Sequence, residues 1–256
     1  MKGFSSVYRK ELYSLFAAPV FYAVAFTFLV ISGYFFYSSV AFYNMASFQA
    51  AQNPMLARQL NMMDMVMRPF FLDLSIVLLL ISPILTMRLY AEERKTGTME
   101  LLFTYPIADH TAVLAKFAAV FSAFAVIMIA TLPGVFLLGT IVSPAWKAIA
   151  CGYLGILLLG GAFMALGIFT SSVTQNQIIA AVLSFGALLM FWIIGWMKSL
   201  MGPPMGDVVE YLSVTRHIES FAKGVLDVRD VVYYLLFISF FLFLTLRQIG
   251  SHRWRG

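Results

Sequence analysis

This sequence predicts an all-α integral membrane protein with six transmembrane helices and an amphipathic helix ahead of the first. Three observations carry the prediction. Of 256 residues, 61% are hydrophobic and only 11% charged, against roughly 25% charged in ordinary globular domains. So few charges cannot clothe a water-soluble surface. The apolar residues also come in long blocks, each of about the length needed to cross ~30 Å of hydrocarbon. Between the blocks stand short polar segments that hold most of the Lys and Arg.

Each element follows in order. Residues 3–17 place Phe4, Tyr8, Leu12, Leu15 and Phe16 at three- and four-residue steps, with Lys2, Arg9 and Lys10 off that stripe. Such a helix suits the membrane interface. The first span runs from about Pro19 to Phe42 without a charge. Residues 43–69 are expected to be a loop, with or without a short helix of its own, and Asn53-Pro54 is its turn signal. The second span is Phe70 to Tyr90, kinked by Pro83. A segment of mixed charge, Arg88 to Asp109, precedes the third span, Thr111 to Leu138, which Pro133-Gly134 should break. The fourth span, Lys147 to Phe169, carries Gly152, Gly155, Gly160, Gly161 and Gly167, small residues that allow close helix–helix approach. The uncharged run Thr170 to Gln177 predicts a tight hairpin into the fifth span, Ile178 to Met197. A second long loop, 198–229, should hold a short helix near Arg216 to Lys223 stopped by Gly224. The last span is Val231 to Leu246, followed by a basic tail.

Six spans put both termini on one side. That side, with the N-terminal helix, the 88–109 segment and the tail, holds the larger share of Lys and Arg, which predicts cytoplasmic termini. The first apolar run is too long for a signal h-region and lacks a cleavage-type exit, so it is expected to be retained.

The same residues exclude several functions. The net charge of +5 reflects basic residues beside spans rather than a basic stripe for nucleic acid. Cys151 is the sole cysteine, and His110, His217 and His252 lie far apart, so neither a disulfide nor a local zinc set is expected. No phosphate-binding loop or hydrolase motif occurs. Glu92-Glu93 is an adjacent carboxylate pair expected to be solvated, not catalytic. Asp73 and Lys116 lie near span starts, within reach of the interface. The scarcity of deep charge disfavours an ion-coupled transporter or channel, whose ionisable groups sit inside the membrane. It suits a membrane machine powered from outside the bilayer, or a scaffold that moves nothing.

The informative stretch is Ala91 to Pro106, AEERKTGTMELLFTYP. It reads as a helix exit, a turn at Thr96-Gly97, and a short amphipathic helix from Thr98 that Pro106 ends. Held between two spans, it is either a docking knob for a partner or an interfacial loop that only stabilises the fold.

Glu93, Gly97-Thr98, Glu100-Leu101-Leu102 and Pro106, followed by Lys116, resemble the signature of ABC-2-type permeases, and the six-span layout is similar over essentially the whole chain. His217-Ile218-Glu219-Ser220-Phe221, Lys223 to Asp227, Arg229-Asp230 and Arg253-Trp254, with Pro83 to Glu93, resemble the gliding-motility (Gld-type) group, although Ile218 stands where that group usually has an aromatic.

The resemblance implies one permease domain over 1–256 of the ABC-2, type V exporter-like kind. Its parts would be an interfacial helix over 1–18, a cytoplasmic coupling segment over 91–109 and an extracytoplasmic loop over 198–229. It implies a separate ABC ATPase that holds ATP and Mg, with no cofactor on this chain. A second permease subunit is implied too, either a copy or a Gld-type partner with an extracytoplasmic domain, in the lipids of a bacterial inner membrane. Glu93, Gly97, Thr98, Glu100, Leu101, Leu102 and Pro106 would couple to the ATPase. Arg9, Lys10 and Glu11 of the first helix would take part, and Thr174, Gln175 and Asn176 would form a second cytoplasmic contact.

Overall fold

The computed structural model describes residues 2–52, 61–98, 107–140, 144–199, 201–202 and 205–253. Six of its helical stretches are long and apolar enough to cross a membrane. Helix α1 (Lys2–Ala17) leads into α2 (Pro19–Gln52). A π turn, Met63–Met67, opens α3 (Arg68–Thr86), which continues after Met87 as α4 (Arg88–Lys95). The third span is α5 (Asp109–Ile129) plus α6 (Leu132–Gly139), and the fourth is α7 (Trp146–Val173). Helix α8 (Gln177–Ile193) runs into a 3-10 turn, Ile194–Ser199. Short helices α9 (Met205–Leu212) and α10 (Val214–Ala222) precede α11 (Val228–Arg253).

The breaks follow local chemistry. Pro83 sits inside α3, and the second span is interrupted one turn later at Met87, whose N–H still reaches the Pro83 carbonyl at 2.9 Å. In the third span the helix stops at Ala130-Thr131 and restarts with Pro133 in its first turn, where a missing N–H costs nothing. Gly224 ends α10 at φ +77°. Its N–H reaches the Phe221 carbonyl at 2.9 Å, and Val225 N–H reaches the Ser220 carbonyl at 3.0 Å. This pair of bonds closes the helix through a left-handed residue, a geometry that favours glycine.

One boundary differs from the sequence reading. Helix α2 does not stop near Phe42 but runs 34 residues to Gln52, ~50 Å at 1.5 Å per residue. Residues 43–52 include several alanines and neither Gly nor Pro, so helix propensity carries the turn-rich polarity through. The ring of Phe36 meets Phe70, at the start of α3, with centroids 5.3 Å apart. The last turns of α2 therefore project beyond that end of the neighbouring span.

Helix α7 is the axis of the bundle. It packs against α3, α5, α8, α10 and α11, and its best window is 72% buried, against 22% for α2 and 17% for α8. Its glycines make this possible. A Cβ at Gly152 would overlap the Phe71 ring, at Gly155 Phe221, at Gly160 Phe124 and at Gly167 the side chain of Thr86. Small residues are thus spent where three other elements press on one helix, as membrane packing requires.

Candidate functional site

The polar interruption after the second span is rooted in a buried cluster of charges. Lys116, on the inner face of α5, has only 1% of its side chain exposed. Its ammonium donates to Glu11 Oε1 at 2.8 Å and to the Leu89 carbonyl at 2.7 Å. It lies 3.0 Å from Glu93 Oε2 and 4.7 Å from the centre of the Tyr90 ring. Lys10 donates to the other Glu93 oxygen at 2.6 Å and stands 3.3 Å from Glu11. Two cations and two carboxylates from α1, α4 and α5 thus balance one another. Burial works against the charge on Lys10, but the Glu93 hydrogen bond and the charges of Glu11 and Glu93 outweigh it and raise its pKa.

The cluster corrects one expectation. Glu92 is half-exposed, but Glu93 keeps only 13% of its side chain exposed, so the two are not a solvated pair. Adjacent helical positions point about 100° apart, and α1 covers one of them. Lys116 is covered from solvent by α1, the helix read as interfacial, which it meets through Glu11. The buried ridge of α1 is Val7, Glu11 and Leu15, spaced four apart, so Glu11 faces α5 rather than solvent. Periodicity of apolar residues alone could not find a carboxylate in the buried stripe.

Arg9 and Lys10 are exposed on α1, as expected. A second tie joins α1 to α4: Arg88 donates to the Ser14 carbonyl at 3.1 Å and to its hydroxyl at 3.0 Å.

The break at Met87 is sealed from the other side by α7. The Ser171 hydroxyl donates to the Met87 carbonyl at 2.8 Å and accepts from the N–H groups of Tyr90 and Ala91, both at 3.1 Å. One buried hydroxyl thereby satisfies backbone groups that the interrupted helix leaves open. Arg94 donates to the Ser172 carbonyl at 2.6 Å. These bonds bind α4 to the last turn of α7, just before the Thr174–Asn176 turn. In that turn Asn176 caps α8, accepting from Ile178 N–H at 2.9 Å, while Thr174 accepts from Asn176 N–H at 3.1 Å and Gln175 is exposed.

Helix α4 is closed by Thr96. Gly97 takes φ +72°, and among the described residues beyond its chain neighbours no atom lies within 4 Å of where its Cβ would be. Backbone conformation, not space, is what glycine supplies there. The Thr96 hydroxyl donates to the Glu92 carbonyl at 2.9 Å and lies 2.9 Å from the Thr98 hydroxyl. Glu100, Leu101, Leu102 and Pro106 lie outside the described residues.

At the opposite end of the bundle, His217 ties the 198–229 loop to the last span. Its Nδ1 lies 2.6 Å from Asp230 Oδ1, its Nε2 2.9 Å from the Tyr211 carbonyl, and its ring stacks on Tyr233 at 3.8 Å. Glu219 pairs with Arg68 at 2.6 Å and with Lys223 at 2.9 Å. The motif residues of that region are internal fasteners. Among the described residues no group of His, Cys, Asp and Glu could hold a metal ion.

A family described as ABC-2 family transporter protein matches residues 5–247. No curated protein matches the chain.

Proposed function

The chain belongs to the ABC-2 transporter family, and on that premise we propose that it is the permease subunit of an ATP-driven complex. It is a multi-pass membrane transport component, not itself catalytic. The ATPase is a separate chain that binds ATP and Mg, and its movement enters at the segment that begins with Glu93, Gly97 and Thr98. The complex sits in a bacterial inner membrane with both termini of this chain in the cytoplasm. It exports cargo or transmits force, and it works with a second permease subunit, either a copy of this chain or a Gld-type partner bearing an extracytoplasmic domain.

One observation carries the reading: the segment between the second and third spans is anchored at its root rather than hung as a loop. Lys116 joins α1, α4 and α5 through Glu11, Glu93 and the Leu89 carbonyl. A push on the residues after Lys95 therefore reaches the start of the third span and the N-terminal helix together, as a lever needs. Glu100, Leu101, Leu102 and Pro106 supply the docking contacts, Arg9 on the exposed face of α1 joins them, and Thr174, Gln175 and Asn176 form the second contact. Glu93 and Lys10 act at the root of the lever, holding it to the bundle. An ion-coupled transporter would need an ionisable group free to change charge at depth, whereas the ammonium of Lys116 is held by two carboxylates.

Co-purification tests the reading. The chain expressed with the ABC ATPase of a neighbouring gene should elute as a complex and stimulate ATP hydrolysis. Replacing Glu100→Lys should abolish both while the permease alone keeps its thermal stability. Unchanged binding and stimulation in that variant would overturn the coupling role.

A further inference from the structure

Beside the Thr174–Asn176 turn lies an open groove of about 850 Å³, lined by Arg94 and Lys95 of α4, the polar residues of the turn, and Val173 and Ile178. Among the described residues neither cation has a carboxylate within ion-pair distance. Arg94 spends one N–H on the Ser172 carbonyl, which fixes its guanidinium at the groove wall and leaves donors unspent. Lys95 is exposed. The N-terminus of α8 contributes little, since Asn176 already caps it. The charge of the groove comes from the two side chains.

The groove has a second, different wall. Below it runs an uncovered apolar face of α8: Ile178 is 72% exposed, Val182 64% and Met190 74%. At Gly186, on the same face, a Cβ would meet nothing within 4 Å. The groove also lies where two spans end, Val173 closing the fourth and Gln177 opening the fifth. Its level is therefore that of the lipid headgroups. Two cations with no carboxylate partner among the described residues, at headgroup level and continuous with an apolar strip leading into the membrane, match one molecule in both halves: an acidic head and hydrocarbon tails.

We propose that this groove binds one anionic phospholipid, its phosphate held by Arg94 and Lys95 and an acyl chain lying along Ile178, Val182 and Gly186. The site needs only membrane insertion, not ATPase coupling, so the two readings fail independently. Because Arg94 and Ser172 join the coupling segment to α7, the lipid fills the seam between the two contacts assigned to the ATPase.

Native mass spectrometry of the purified full chain in mild detergent tests it, with phosphatidylglycerol and phosphatidylcholine of matched chains as probes. The wild type should retain one phosphatidylglycerol, preferred by about 30-fold, from roughly a fivefold gain per basic residue at an anionic headgroup. Lys95→Gln should cut that preference about fivefold, and Arg94→Gln/Lys95→Gln should abolish it. Lys147→Gln, an exposed lysine at the other end of the fourth span, should leave it unchanged. Because Arg94 also braces the fold, the Lys95 variant is the deciding one. Retention of phosphatidylglycerol at the wild-type level in Lys95→Gln would overturn the site, as would an equal loss in Lys147→Gln. Displacement of the lipid by millimolar inorganic phosphate would reduce it to a plain anion site. Loss of ATPase binding in Lys95→Gln in phosphatidylcholine alone, with lipid retention intact, would assign the groove to an acidic side chain of the partner instead.

Discussion

The two ends of the bundle handle charge in opposite ways. At the α1 end, Lys116, Glu11 and Glu93 are buried together, and three elements share one ammonium. At the other end, Arg68, Glu219 and Lys223 form pairs whose side chains are 34–46% exposed, and those of Lys198, Glu210 and Arg216 are 28–47% exposed. Among the described ionisable pairs of that end, the buried one is His217 with Asp230. Exposed pairs contribute little, because water competes for both partners. A buried cluster stands or falls as a unit, because each group left alone bears its full desolvation cost. The α1 end is thus built to move as one piece, and the far end is held by packing, one histidine and a set of weak ties.

Four substitutions test that contrast. The largest effect is expected at Lys116→Met, which leaves the buried carboxylates of Glu11 and Glu93 with only the exposed Lys10 to balance them. The loss should be ~3–5 kcal/mol, read as a fall in melting temperature of the purified permease. Adding Glu11→Gln and Glu93→Gln to that variant should recover most of it. A triple variant no more stable than the single one would mean that packing, not charge balance, holds α1.

His217→Phe comes next. The ring stack on Tyr233 can survive, but Asp230 loses its partner, at about 1–3 kcal/mol. Proteolysis within 205–227 should quicken while the α1 end stays protected. Equal loosening at both ends would erase the distinction between them.

Gly97→Val should cost ~1–2 kcal/mol locally, since a β-branched residue resists positive φ and nothing crowds the position. The melting temperature should barely move, because Gly97 is exposed, while stimulation of the partner ATPase should fall sharply. Full stimulation would remove the turn from the coupling path.

The smallest effect belongs to the exposed pairs. Glu219 is held below the usual carboxylate range, first by the Lys223 hydrogen bond and further by Arg68, against the opposing effect of burial. Its contribution is therefore present above the ordinary glutamate pKa of 4.5 and is lost as pH falls below that into the folded-state range. Glu219→Gln should remove this acid-dependent part of the stability curve and change stability at neutral pH by less than about 1 kcal/mol. A larger loss at neutral pH would place the far end in the same class as the Lys116 cluster.

The outline of the fold was legible because membrane spans are written locally. Runs of apolar residues, Pro133-Gly134 and Gly224 all act within a few positions of themselves, and each feature appears where the sequence places it. The end of α2 was not, since polarity signalled a loop where alanine-rich propensity continued the helix. The candidate site was half legible. Gly97 and the Thr174–Asn176 turn stand where turn chemistry puts them, and the structure adds that Asn176 caps α8. The charge cluster was hidden: Glu11 and Lys116 are 105 residues apart, and no local pattern distinguishes a lysine that reaches solvent from one that a distant helix covers. The same holds for Ser171, a hydroxyl whose use depends on a helix break 84 residues earlier.

By itself the sequence determined a six-span membrane protein, the breaks within its spans and the position of the polar segment that interrupts them. Hydropathy and backbone chemistry act over one or two turns, so nothing further along the chain was needed. Only the tertiary structure decided what that segment is attached to. Whether Glu93 faces water or Lys116, and whether Arg94 and Lys95 stand alone or flank a groove, depends on how α1, α5, α7 and α8 lie against α4. Electrostatic energy is set by distance and burial, and both are properties of the packed bundle rather than of any stretch of chain.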